Sequence, residues 1–239
     1  MSSPFRRKLH TLATEPYRSA GHFSWHFAKG KLRGDPIFSE LLAHGLLHDC
    51  DRLIDLGCGQ GLLASWLLAA RTMHESGIWA GHWPAAPKIG EIWGLELMHS
   101  DVINARTALG ERAEFTQGDI RTSDFGKADI AIILDVLHYI NFDEQEQVLR
   151  RIHAALPTGG TFIIRIGNAA GGLPFHFSTW VDKIVLFLRE HHSCPLYCRT
   201  LKQWITLLQK NGFEVNALPF RQAKSFSNVI LIAKALQAQ

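Results

Sequence analysis

The sequence predicts an α/β chain built on a doubly wound, seven-stranded and mostly parallel sheet, with a helical N-terminal cap and insertions over the strand ends. Three observations carry that expectation. From residue 50 onward, short runs rich in Ile, Leu and Val alternate with longer amphipathic segments, the pattern of repeated βαβ units. The first apolar run ends in D-L-G-C-G-Q-G at 55–61, a tight glycine turn between a strand and a helix. The last two apolar runs follow each other with no helical segment between them, so one antiparallel strand is expected at the end of the sheet.

Arg52–Leu56 is the first strand, and Leu62–Arg71 the helix that follows its turn. Glu91–Leu97 is the second strand. The helix over roughly Ser100–Leu109 carries Asp101 early and Arg106 late, the polarity a helix dipole favours. Ala113–Thr116 is the third strand. Asp129–Leu134, nearly all Ile, Ala and Leu, reads as a strand buried on both faces. The amphipathic segment Asp143–Leu156 crosses over from it and stops at Pro157-Thr-Gly-Gly160. Thr161–Ile166 is the fifth strand, Leu201–Asn211 a helix closed by Gly212, and Phe213–Leu218 with Val229–Ala233 the final pair.

Three segments stand outside the alternation. Residues 1–45 form the helical cap, carrying Tyr17, His22, Phe23, Trp25, His26 and Phe27, and 46–239 form the main domain. Residues 72–90, with two Trp among Gly and Pro, read as a long loop inserted into the first βαβ unit. Residues 168–200, rich in aromatics and His with an apolar helical piece near Trp180–Leu188, form the second insertion. All three are candidate walls of a pocket over the carboxyl ends of the strands, where open α/β sheets bind their ligands.

At 239 residues the chain suits one core domain with an appendage. A net charge of +3 with 20% charged residues gives no electrostatic case for nucleic acid or an anionic membrane. The most apolar stretches, 62–70 and 129–137, are about half of a bilayer span, so no transmembrane segment is expected. MSSPFRRKLH is followed by no apolar stretch that would make it a signal peptide. Cys50, Cys58, Cys194 and Cys198 have no disulfide-framework spacing, and one lies inside the glycine turn, so the cytoplasm is the expected compartment.

Glycines at 57, 59 and 61 let the backbone turn sharply and let a ligand approach where a Cβ would collide. Asp55 beside them is the wrong neighbour for pyrophosphate, and no Lys-Ser/Thr follows the turn as it would in a P-loop. An acid there suits a ligand with a cationic end. At this point D-L-G-C-G-Q-G resembles the first motif of the class I S-adenosylmethionine-dependent methyltransferases, whose Rossmann-like fold matches the alternation above. The resemblance runs from Arg52 to the C-terminus. It implies that Asp55, Gly57, Cys58, Gly59 and Gly61 lie against the methionine part of S-adenosylmethionine. It implies that Glu96, with Leu97 beside it, accepts the ribose hydroxyls, and that Asp119 with Ile120, in QGDI, holds the adenine. Asp135, in LDVLHYI, is then near the methionine and the substrate. Asp55 and Glu96 are 41 positions apart, against the roughly 20 usual for such an acid, and the 72–90 insertion makes up the excess.

His138, three residues past Asp135, resembles the general base of small-molecule O-methyltransferases; imidazole titrates near neutrality and can take a phenol's proton. Packing is the alternative role for it. Tyr17, His22 and His26 are candidate substrate-side residues on a lid, the alternative being a helix docked through Phe23 and Phe27. His191, His192, Cys194 and Cys198 are potential zinc ligands, but their spacing matches no familiar zinc pattern and no metal is expected. The expected acceptor is a small aromatic or polyketide-like hydroxyl or carbon. The whole chain is also similar to bacterial methyltransferases accompanying aryl polyene pigment synthesis, which implies an acceptor carried on an acyl carrier protein. Methylation of RNA or protein is disfavoured, because DVLH stands where an Asn/Asp-Pro-Pro-Tyr motif would be. An inactive cofactor-binding interaction protein is the non-enzyme alternative. Oligomeric state is not encoded in any feature of the sequence.

Overall fold

The computed structural model describes residues 4–167, 197–219 and 228–237. Their contacts divide the chain into two compact units, Met1–Ser123 with Ala128–Ile130, and Asp124–Lys127 with Ala131–Gln239. The fold is the expected seven-stranded, mostly parallel sheet with helices.

In the first unit, helices α1 (Pro4–Thr14), α2 (His22–Gly34) and α3 (Ile37–Ala43) precede strand β1 (Cys50–Leu56). Helix α4 (Leu62–Glu75), strand β2 (Ile89–Glu96), helix α5 (His99–Leu109) and strand β3 (Glu114–Gln117) follow. The strands run parallel in the order β3-β2-β1, with Asp55 opposite Gly94 and Glu96 opposite Gln117. Leu53, Ile54 and Leu56 are fully buried, as a strand covered on both faces requires. Most of residues 4–43 is helical. Helix α1 lies against α4, where the Ser65 hydroxyl donates to the Ala13 carbonyl at 2.6 Å.

The 72–90 segment differs from a pure loop at both ends. Helix α4 runs on to Glu75 because Met73 is buried and Arg71 pairs with Glu75 one turn later, and β2 already begins at Ile89. Between them the chain folds back on α1. The Phe5 ring meets Trp79 and Trp83 edge-on at 5.3 and 5.2 Å, and the Trp79 indole N–H donates to the Pro84 carbonyl. Edge-to-face pairs of this kind are each worth about 1 kcal/mol beyond the area they bury.

The second unit takes strand β4 (Ile130–Leu134) from its second residue onward. Helix α6 (Phe142–Ala155), strand β5 (Thr161–Gly167), helix α7 (Leu201–Lys210), and strands β6 (Phe213–Pro219) and β7 (Asn228–Ala235) complete it. Capping boxes open both helices, Asn141 with Glu144 on α6 and Thr200 with Gln203 on α7. The strand order is β4-β5-β7-β6, and β7 is antiparallel to both its neighbours. The reversed strand therefore sits one place in from the edge and not at it. Composition explains this: β7 buries Ile230, Leu231 and Ala233, whereas β6 exposes Glu214 and Asn216, which suits an edge. Among the described residues no helix is long and apolar enough to cross a membrane.

Candidate active site

The site grows from the turn after β1. Gly57, Gly59 and Gly61 have φ of 79°, 55° and 73°, the left-handed region that favours glycine. Gly57 and Cys58 donate their N–H groups to the Leu95 carbonyl, Gly61 donates to Cys58, and Gly59 donates to Glu96 Oε2 at 2.9 Å. These four donors are satisfied within the protein, so the turn does not present them to a phosphate. A Cβ on Gly61 would lie 2.6 Å from the Phe115 ring, and one on Gly94 of β2 would lie 2.7 Å from Cys58 Sγ. Gly61 thus makes room for the Phe115 ring of β3, and Gly94 for Cys58 of the turn after β1.

Two carboxylates are buried beside this turn. Glu96 is 2% exposed, and its second oxygen accepts the Met98 N–H at 2.8 Å. Asp55 is 5% exposed. Burial, reinforced by the charge of Glu96, pushes Asp55 up to about 7. Burial likewise pushes Glu96 up to about 7, against the opposing pull of the Met98 and Gly59 N–H groups. The same burial raises the Cys58 thiol. Gln60 is buried as well, and its Oε1 has no hydrogen-bond partner among the described residues. Acceptors outnumber donors here, and a ligand carrying hydroxyls and an ammonium group would satisfy them.

The backbone carbonyl of Gln60 accepts the Tyr17 hydroxyl at 2.8 Å. Tyr17 has no solvent exposure, and burial raises its phenol. Its hydroxyl braces the glycine turn and does not open on solvent. His22 and His26 are exposed on α2 with their Nε2 atoms 3.0 Å apart, and desolvation with the neighbouring His22 lowers His26. Trp25, on the same helix, lies between the Arg18 and Lys29 cations at 4.0 and 4.2 Å.

Leu97 is half-buried at the end of β2, and its carbonyl accepts the Gln117 side-chain amide. Past β3, Ile120 is buried and Asp119 half-exposed. The Asp119 carboxylate holds the Arg121 guanidinium at 2.6–3.0 Å and also accepts the Arg121 N–H at 2.8 Å. It thereby fixes its own turn.

In the second unit, Asp135 follows β4 with φ of 58°, left-handed for a residue that carries a Cβ. Such a conformation costs about 1–3 kcal/mol and persists only when its surroundings impose it. Here Arg165 of β5, 6% exposed, grips both Asp135 oxygens with Nε and NH2. Asp135 is therefore an ion-paired corner. His138 lies on the single helical turn Leu137–Tyr139 with its ring 4.1 Å from that of Tyr139. Its Nε2 is sealed from solvent without a hydrogen-bond partner among the described residues. Burial lowers His138 more than the charge of Asp135 raises it. Gln145 pins this turn, its amide donating to the carbonyls of Leu137, Ile140 and Tyr197 at 2.9–3.1 Å.

His191, His192, Cys194 and most of the 168–200 insertion, including Trp180–Leu188, lie outside the described residues. Among the described residues no three His, Cys, Asp or Glu side chains are grouped to hold a metal ion. Cys50, Cys58 and Cys198 are free thiols. Sequence reasoning missed Gln60, Gly94, Arg165 and Arg199. A lone Arg inside the apolar strand TFIIRI was the available signal for Arg165; nothing in sequence marks Gln60.

The family described as "Methyltransferase domain" matches residues 5–218. A carboxy-S-adenosyl-L-methionine synthase of Chromohalobacter salexigens is 28% identical over 129 residues, 52% of this chain and 43% of the relative. The tetracenomycin polyketide synthesis 8-O-methyl transferase of Streptomyces glaucescens is 33% identical over 54 residues, 23% of this chain and 16% of the relative. The chain thus spans less than half the length of either. Among solved structures, an O-methyltransferase family protein from Burkholderia thailandensis superposes with a TM-score of 0.61 at 17% identity, covering 96% of this chain and 64% of that one. At that identity the likeness is one of fold.

Proposed function

The chain belongs to the methyltransferase-domain family, and from that premise we propose that it transfers the methyl group of S-adenosylmethionine to a small acceptor, an aromatic or polyketide-like hydroxyl or carbon. One observation carries the cofactor half of this reading. Asp55, Glu96 and the Gln60 Oε1, partnerless among the described residues, make a buried, acceptor-rich wall on a turn whose own N–H donors are satisfied. That donor set fits a nucleoside with an amino-acid tail. Glu96 would take the ribose hydroxyls on its remaining lone pairs, and Asp55 with Gln60 the ammonium group. Asp119 and Ile120 would meet the adenine. When bound, S-adenosylmethionine supplies a sulfonium methyl group for in-line displacement. The protein's part is then to align and desolvate the acceptor.

We assign His138 the proton-accepting role when the acceptor is a hydroxyl. Burial favours the neutral imidazole, and its Nε2, without a hydrogen-bond partner among the described residues, can take a proton. Tyr17 supports the site through Gln60; His22 and His26, exposed on α2, are proposed on the acceptor side. The name of one relative, a polyketide synthesis 8-O-methyl transferase matched over 54 residues, supports a hydroxylated acceptor. Delivery on an acyl carrier protein and a cytoplasmic setting complete the proposal.

Calorimetry tests it directly. Micromolar binding of S-adenosylmethionine or S-adenosylhomocysteine by the wild-type chain, weakened at least about tenfold in Glu96→Ala, is the expected result. Absence of binding ends the cofactor assignment. His138→Ala is expected to keep cofactor affinity and lose turnover, and unchanged turnover removes the base role.

A further inference from the structure

Two polar groups in the second unit remain uncompensated by the reading above. One is His138 Nε2, buried and partnerless among the described residues. The other is Arg199. Its Nε donates to Gln145 Oε1 at 2.7 Å and its NH2 to the Phe142 carbonyl at 3.1 Å, while the guanidinium stacks 4.4 Å from the Phe142 ring and 5.8 Å from that of Trp204. All these partners are neutral. Among the described residues Arg199 forms no ion pair; Asp143 and Glu146 act on it only at longer range, and Glu146 is itself bound to Arg150 and Lys210.

Both groups line one cavity of about 20 Å³, walled otherwise by Ile166, Cys198 and Trp204 and by Arg165, whose charge Asp135 neutralises. That volume holds about one water-sized group. Among the described residues the cavity therefore combines a guanidinium in no ion pair, an imidazole nitrogen with no hydrogen-bond partner, and room for about one water-sized polar group. An ammonium group would be repelled by Arg199. An aliphatic hydroxyl would offer the guanidinium a hydrogen bond but no opposite charge. An anionic oxygen satisfies both, through charge-assisted hydrogen bonds.

We propose that this cavity is a subsite for an oxyanion of the acceptor, a carboxylate or the phenolate left when His138 takes a phenol's proton, held jointly by Arg199 and His138. The proposal rests on the methyltransferase reading only in calling the ligand the acceptor; the anion preference itself follows from the cavity. It narrows the acceptor to acids and acidic phenols and excludes amines and simple alcohols.

The test uses the full chain and three probes in calorimetry: benzoate, 4-nitrophenol, and benzamide as the uncharged counterpart. At least one of the two acidic probes is expected to bind about tenfold or more tightly than benzamide, equivalent to about 1.4 kcal/mol. Preference for benzoate assigns a carboxylate. Preference for 4-nitrophenol, with growth of its phenolate absorption on binding, assigns a phenol. Arg199→Gln and His138→Phe, each checked for a wild-type-like thermal transition, are expected to lose the preference. Equal binding of all three probes overturns the proposal, as does failure of both acidic probes at roughly 10 mM. Comparison of the probes on the wild-type chain decides the matter however the variants fold. A chain that binds the acidic probes but no S-adenosylmethionine would keep the subsite and lose the methyltransferase reading; the reverse result would do the opposite.

Discussion

Replacing Asp55 by Asn should make the ligand-free protein more stable at pH 8 while abolishing cofactor binding. In the folded chain Asp55 is buried next to Glu96, and its pKa is pushed from 3.8 up to about 7. A group whose folded pKa is raised binds its proton more tightly when folded, so its favourable contribution is complete below the unfolded value near 4. That contribution is lost as pH rises to about 7. Each unit is worth about 1.4 kcal/mol, so the ionised side chain costs up to about 4 kcal/mol above pH 7. Asparagine has the same shape and no proton to lose. Urea unfolding of wild type and Asp55→Asn at pH 5 and pH 8 isolates this contribution, because any fixed cost of the amide appears equally at both. The expected stability difference in favour of the variant grows by about 2–3 kcal/mol from pH 5 to pH 8. An identical difference at the two pH values would refute the reasoning that Asp55 is held in a poorly solvated place that only a cationic ligand compensates.

The remaining predictions concern the same elements. Cofactor affinity should weaken as pH falls below about 7, because Asp55 and Glu96 must give up protons to receive the ligand, and titration calorimetry in buffers of different ionisation enthalpy should register proton release. Gly61→Ala should destabilise by about 2–5 kcal/mol, combining left-handed strain with the clash on Phe115. Gly77→Ala, with φ of 69° but no atom within 4 Å of the new Cβ, should show only the strain, about 1–2 kcal/mol by denaturant titration. Arg165→Met should cost about 3–5 kcal/mol, because it leaves the Asp135 carboxylate unpaired in a left-handed corner, and near-wild-type stability would contradict that role. Tyr17→Phe should lose about 1 kcal/mol and weaken cofactor binding through a loosened turn, measured by thermal unfolding and calorimetry.

Much of the framework was legible in the residues themselves. Strands β1 and β4 were readable because parallel strands covered on both faces must be near-continuous apolar runs, as in LIDL and IAIIL. The turn was readable because three positive-φ positions demand glycine. Two helix ends were readable from Pro157-Thr-Gly-Gly160 and from Gly212, since proline and glycine stop a helix locally. What depends on partners distant in sequence was not. That Tyr17 braces Gln60 across 43 positions, that Asp135 is gripped by Arg165, and that His138 and Arg199 share a cavity are matters of three-dimensional neighbourhood. The same holds for Gly94, which is glycine because Cys58 and Phe115 crowd it from other elements. Local backbone chemistry fixes what a short segment becomes. Packing alone decides which side chains lose their water together, and therefore which carboxylates are raised, which donors are satisfied, and which polar groups are left waiting for a ligand.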